Sequence, residues 1–125
     1  MTASTLTRTL ALLAGLLMST AATATDWDMR GFVDCLSSSG AKYYGTHWCP
    51  YCARQNKMFG RDAKYLPYIE CSAPGSRREL SRCSHIAAYH TWRFADGRVR
   101  SGVLSFQALS DYTGCELREK SYFVD

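Results

Sequence analysis

No stretch of this sequence stays apolar for the roughly 20 residues that a membrane-spanning helix needs, and the run at residues 10–18 reaches about half of that. There is no basic stripe. Lys and Arg outnumber Asp and Glu by 15 to 11, a formal charge of +4, but the cations are scattered and only Arg77 and Arg78 are adjacent. Nucleic acid is therefore not expected as a partner. Internal repeats and low-complexity linkers are also missing. At 125 residues, 46% hydrophobic and 21% charged, the composition suits one compact domain and leaves no room for a second.

What the amino-terminal residues do contain is an export pattern. Arg8 is the only charge among residues 1–24, the apolar run follows it, and Ala22-Thr23-Ala24 fits the small-residue cleavage rule. Cleavage is expected after Ala24, with Ala22 the weaker choice, so that 1–24 is a signal peptide and 25–125 the folded domain. No cysteine closes the apolar run, which argues against a lipid-anchored product. The location implied is periplasmic or otherwise exported. About 100 residues then remain, enough to bury roughly 60–70% of the unfolded surface but few enough for covalent staples to matter. All six cysteines lie in that part, and an even number in an oxidising compartment implies disulfides of open connectivity.

Along the exported part, helix and strand signals alternate. Asp26 or Asp28 can cap a first helix with Phe32, Val33 and Leu36 on one face, ending at Ser37-Ser38-Ser39-Gly40. A strand is expected over 41–46. A helix follows from Pro50, whose missing N–H is no loss in a first turn, to about Phe59, with Gly60 as a stop or kink before 61–66. A second strand is placed at 67–71. Pro74-Gly75 reads as a turn, and Ser76 with Glu79 as a capping box for a helix running to about Ser84. Two strands at 91–95 and 98–104 are joined by Asp96-Gly97, a strong hairpin signal, and a last helix runs from Ser105 to about Thr113 with Gly114 as its stop. The order α-β-α-β-α-β-β-α, read as two parallel βαβ crossovers and an antiparallel hairpin, resembles the α/β thioredoxin fold.

Trp48-Cys49-Pro50-Tyr51-Cys52 falls at the junction of the first strand and the following helix, where the partial positive charge of a helix N-terminus favours a thiolate. A Cys-x-x-Cys pair on that first turn exposes its first sulfur and places the second one turn below. Cys49 is thus the expected nucleophile and Cys52 the resolving thiol of a thiol-disulfide exchange through a mixed disulfide on Cys49. His47, two residues upstream, would when protonated stabilise the thiolate and make the pair more oxidising; otherwise it is an exposed loop histidine. An inert bridge or half of a zinc site is the bland alternative for the dithiol.

A closer resemblance rests on Lys42-Tyr43-Tyr44-Gly45-Thr46-His47-Trp48-Cys49-Pro50-Tyr51-Cys52, with Gln55, Phe59-Gly60, Pro67-Tyr68-Ile69-Glu70-Cys71 and Cys83. Over about residues 32–115 the chain resembles the thioredoxin-like domain of bacterial and plant vitamin K epoxide reductase homologues, a domain fused to the membrane reductase or encoded apart from it. The resemblance implies an exported thiol-disulfide oxidoreductase acting on protein thiols or disulfides. Its oxidising equivalents would come from a separate quinone-linked membrane protein of the vitamin K epoxide reductase or DsbB kind. A monomer with no resident cofactor is expected.

Two departures from that family are visible. Where it has a cis-proline facing the dithiol, this chain reads Tyr89-His90-Thr91-Trp92, so His90 takes either a trans bond with a changed loop or a cis bond. An imidazole there would serve as a proton shuttle or as a third metal ligand with Cys49 and Cys52, unless it is a tolerated surface substitution. The carboxylate that thioredoxins keep beneath the resolving cysteine is replaced by Tyr43. Of the other cysteines, Cys71 and Cys83 would close a loop of about 13 residues, worth about 3 kcal/mol in the chain-entropy picture, a pairing the resemblance favours too. Cys35 and Cys115 remain, and a bridge between them would contribute about 4–5 kcal/mol. The functional alternative is that one pair relays electrons to or from Cys49 and Cys52. Trp48 is the tryptophan placed to shape the groove around Cys49. Metal delivery through Cys49, Cys52 and His90, and a stapled domain that only binds, are the rival functions.

Overall fold

A computed structural model describes residues 25–121; the signal peptide expected over 1–24 lies outside them. Helix α1 spans Met29–Ser38, and of its two candidate caps Asp28 is used, its carboxylate accepting the Gly31 N–H at 2.9 Å. Phe32, Val33 and Leu36, spaced for one helical face, are all buried. Strand β1 is Lys42–Gly45, α2 is Pro50–Phe59 and β2 is Tyr68–Glu70, with a 3-10 helix at Gly60–Tyr65 before β2. Strands β3, Thr91–Arg93, and β4, Val99–Ser101, precede α3 at Phe106–Thr113. In α3 the Ser105 hydroxyl caps the Ala108 N–H. The Asp96-Gly97 turn joins β3 to β4 with Gly97 at φ +86° and the Asp96 carboxylate accepting the Arg98 N–H at 2.9 Å. Leu104, in the expected last strand, instead closes a two-way contact with α2. The Gln55 amide donates to its carbonyl at 3.0 Å, and the Gln55 side-chain oxygen accepts its N–H at 2.8 Å.

The four strands form one sheet in the order β2-β1-β3-β4. Period-two alternation decides what each face carries. Tyr43 pairs with Tyr68 on one side and Trp92 on the other, and its ring stacks on Trp92 with centroids 4.7 Å apart. That row belongs to the main core with Phe32 and Leu36 of α1, Cys52 and Phe59 of α2, and Leu109 of α3. Tyr44, one residue on, joins a smaller cluster with Cys71 and Cys83, against which Ile69, Ile86 and Tyr89 pack. A four-stranded sheet with three α-helices in this order is compatible with a thioredoxin-like fold. Among the described residues no helix is long and apolar enough to cross a membrane.

Two expectations are corrected. The segment after Pro74 is not the helix that Ser76 and Glu79 suggest: it pairs back on itself, Ala73 N–H to Arg78 carbonyl and Leu80 N–H to Cys71 carbonyl, each 2.8 Å, and only Ser81–Cys83 makes a 3-10 turn. The capping groups are used elsewhere. The Ser76 hydroxyl accepts the Arg78 N–H, and the Glu79 carboxylate accepts the Tyr89 hydroxyl at 2.6 Å. A disulfide between Cys71 and Cys83 pins both ends of the segment. The second crossover is consequently not parallel. A return to the start of β1 needs an element as long as the sheet, and this pinned segment stays where β1 ends, with Cys71 N–H on the Gly45 carbonyl. Strand β3 therefore starts opposite Tyr44 and runs back to Lys42, antiparallel to β1.

Candidate functional site

The end of β1 feeds directly into α2, and Cys49 is the N-cap of that helix with Pro50 at its first position. The cap donor that a serine oxygen would accept goes to sulfur here: the Cys52 N–H points at Sγ of Cys49 at 3.4 Å. Both thiols are free, and both are buried, Cys49 at 5% exposure and Cys52 at 3%. The anticipated contrast between an open and a shielded sulfur is thus not one of accessibility. The contrast is one of surroundings. Burial, together with the contact from Cys49, pushes the Cys52 thiol up to about 12, so the second sulfur is held protonated.

Gly45 sets how closely β1 approaches that sulfur. A Cβ on Gly45 would lie 2.6 Å from Sγ of Cys52, 2.9 Å from Cε2 of Tyr68 and 3.4 Å from the Tyr68 hydroxyl, so thiol and phenol flank the glycine together. Gly45→Ala should destabilise the fold by about 1–3 kcal/mol through overpacking and slow exchange by displacing Cys52. Denaturant titration and a dithiol exchange assay read the two effects, and an unperturbed exchange rate would contradict the packing argument.

Beneath the dithiol, the Tyr43 hydroxyl donates to the Cys52 carbonyl at 3.3 Å, and burial holds this phenol well above its ordinary range. The carboxylate that reaches this region comes from the neighbouring strand. Glu70 accepts the Tyr68 hydroxyl at 2.6 Å and the backbone N–H groups of Ser72 and His47 at 3.0 and 3.1 Å. Burial alone would raise Glu70, but these donors hold it below the usual carboxylate range. Tyr68 and Glu70 belong to the Pro67–Cys71 motif, and their spacing of two in a strand puts both on one face. His47 turns to the same carboxylate, with Nδ1 3.3 Å from it, so its partner is Glu70.

His90 is the residue whose surroundings the sequence conceals most. The Tyr89–His90 peptide bond is cis, the side chain is 1% exposed, and neither ring nitrogen has a hydrogen-bond partner. It is therefore not a surface substitution. Burial, with the Arg54 charge, holds it below its ordinary value; the Gly102 backbone acts the other way but makes no hydrogen bond of normal geometry to either ring nitrogen. Tyr51 stacks on its ring at 6.2 Å, and Tyr43 meets its edge at 5.7 Å. Donor atoms of Cys49, Cys52 and His90 all lie within 4.8 Å of one another. Trp48 borders the same end, its indole N–H donating to the Ser72 hydroxyl at 2.8 Å, with Arg77 over its face and Tyr89 at its edge.

The remaining cysteines are closed. Cys35 of α1 is bonded to Cys115 just past α3, with Cα atoms 5.8 Å apart, and Cys71 to Cys83 at 5.5 Å. The second bridge belongs to the smaller buried cluster, apart from the one holding Cys49 and Cys52. No protein-family model matches the chain. It is 40% identical over 88 residues to the thiol-disulfide oxidoreductase LTO1 of Arabidopsis thaliana, an alignment covering 66% of this chain and 23% of that protein. The chain thus spans less than a quarter of that relative's length.

Proposed function

We propose that this chain is an exported thiol-disulfide oxidoreductase in which Cys49 is the nucleophile and Cys52 the resolving thiol. The observation that carries this reading is a free dithiol on the first turn of α2, its first sulfur in the cap position, in a chain whose other four cysteines are paired. The likeness to a thiol-disulfide oxidoreductase supports it.

In the oxidising direction a client thiolate attacks Sγ of Cys49 in the closed 49–52 disulfide. The new S–S bond forms as the old one breaks, and the electron pair leaves on Cys52, which takes a proton. A second client thiolate then attacks the client sulfur of the mixed disulfide and releases Cys49. Two electrons have moved from client to dithiol, and the client is left with a disulfide. The reverse sequence reduces a client. In both, charge developing on Cys49 is met by the Cys52 N–H, and the Gly45 notch lets Cys52 reach it.

The clients are exported protein thiols or disulfides. The electrons leave through a quinone-linked membrane oxidoreductase of the vitamin K epoxide reductase or DsbB kind, a reading that the likeness to a thiol-disulfide oxidoreductase and the resemblance of residues 32–115 support. Aromatic side chains at the helix end, with Trp48 37% and Tyr51 51% exposed, offer a peptide an apolar border. The test is oxidative refolding of a reduced, disulfide-containing protein, followed with and without the oxidised chain. Recovery should accelerate in proportion to chain concentration and return to background with Cys49→Ser; equal acceleration by that variant would leave a stapled binding domain as the better account.

A further inference from the structure

We propose that, when its dithiol is reduced, this chain binds one zinc ion through the sulfurs of Cys49 and Cys52 and a ring nitrogen of His90. The exchange chemistry above uses the two sulfurs and gives the imidazole nothing to do. Yet His90 is buried against the dithiol with both nitrogens unpartnered. Buried polar atoms without partners are rare and costly in folded proteins, and a site that supplies the partner only when a ligand arrives accounts for them.

The donor set selects the ion. Two sulfurs and an imidazole suit thiophilic ions and reject magnesium and calcium, which take oxygen ligands. Two thiolates with a neutral imidazole carry a charge of about −2, which a divalent ion cancels; a monovalent ion would leave net negative charge among residues that are all buried. Zinc bonds sulfur at about 2.3 Å and nitrogen at about 2.0–2.1 Å, so donors around it sit roughly 3.5–4 Å apart. The present spread, within 4.8 Å, closes on that geometry with side-chain shifts of about an ångström. Cys49 and Cys52 come from one turn of α2, and His90 from the residue before β3, so two elements already packed together supply all three ligands. Water or a client thiolate completes the tetrahedron. Binding releases the thiol protons and transfers no electrons, and it occupies the same sulfurs as the disulfide, so metal and exchange exclude each other.

The test uses the folded chain with its two structural bridges intact, titrated with zinc against a chromophoric chelator without oxygen. Reduced protein should take up one zinc per chain, and oxidised protein none. His90→Ala should weaken binding by about tenfold or more. Cobalt(II) in place of zinc should give thiolate charge-transfer and tetrahedral ligand-field bands in the parent, altered in the variant. Should the variant fold poorly, nitrogen NMR of the parent decides, since one equivalent of zinc must shift the His90 ring nitrogens. No uptake by the reduced parent, parental affinity in a folded His90→Ala, or unshifted ring nitrogens would each overturn the proposal.

Discussion

Cys52→Ser is expected to accumulate mixed disulfides between Cys49 and client proteins, while Cys49→Ser accumulates none. With Cys52 gone, nothing within the site can attack the bond that joins Cys49 to its client, and release falls to the rate of outside thiols. With Cys49 gone, the remaining sulfur lies one turn inside the helix, 3% exposed and flanked by Gly45 and Tyr68, and burial keeps it protonated. The asymmetry therefore survives although Cys49 is itself buried: Cys49 occupies the cap of α2, at its end, and Cys52 faces the core row of Tyr43 and Tyr68. Non-reducing electrophoresis of variants expressed from the full 125-residue sequence, followed by mass identification of the adducts, reads the difference. Equal trapping by both variants would contradict the division of roles.

The largest effect on stability is expected from the Cys35–Cys115 bridge. It joins residues 80 apart, from α1 to the turn after α3, and so ties the two ends of the described fold. Replacing both cysteines by alanine should cost about 4–5 kcal/mol, against about 3 kcal/mol for the 12-residue separation of Cys71 and Cys83. In a domain of about 100 residues that corresponds to a fall in Tm of about 20–35 °C. Calorimetry of the two double variants measures both, and the smaller loss from the longer loop would contradict the ranking.

Local signals made the helices legible. Asp28, Pro50 and Ser105 mark starts that depend on one or two neighbouring residues, and the apolar spacing of Phe32, Val33 and Leu36 names its own buried face. The dithiol was legible for the same reason, since Cys49 and Cys52 need only the helix that Pro50 begins. Segment 71–90 was not, because what shapes it is distant: the bridge to Cys83, and the Glu79 carboxylate drawn to Tyr89 instead of to a helix end. A local capping pattern lost to tertiary partners. The reversal of β3 follows from that same segment. Nothing beside Gln55 in the sequence announces its burial, because the group that bonds it, Leu104, lies 49 residues away. His90 is legible as a neighbour of the dithiol only through the position that the family resemblance gives it; its burial, with Tyr43 and Tyr51 packed on the ring, depends on distant residues and is not.

The measurement that bears most directly on the central claim is a redox titration of the chain in thiol buffers, with alkylation in denaturant and mass mapping at each point. The account predicts that Cys49 and Cys52 alone change state, together, in one two-electron step with a midpoint between about −270 mV, where reduction of clients dominates, and about −120 mV, where oxidation does. Cys35, Cys71, Cys83 and Cys115 should stay unlabelled throughout. A 49–52 pair that never closes, or one that opens only below about −300 mV as structural bridges do, would contradict it.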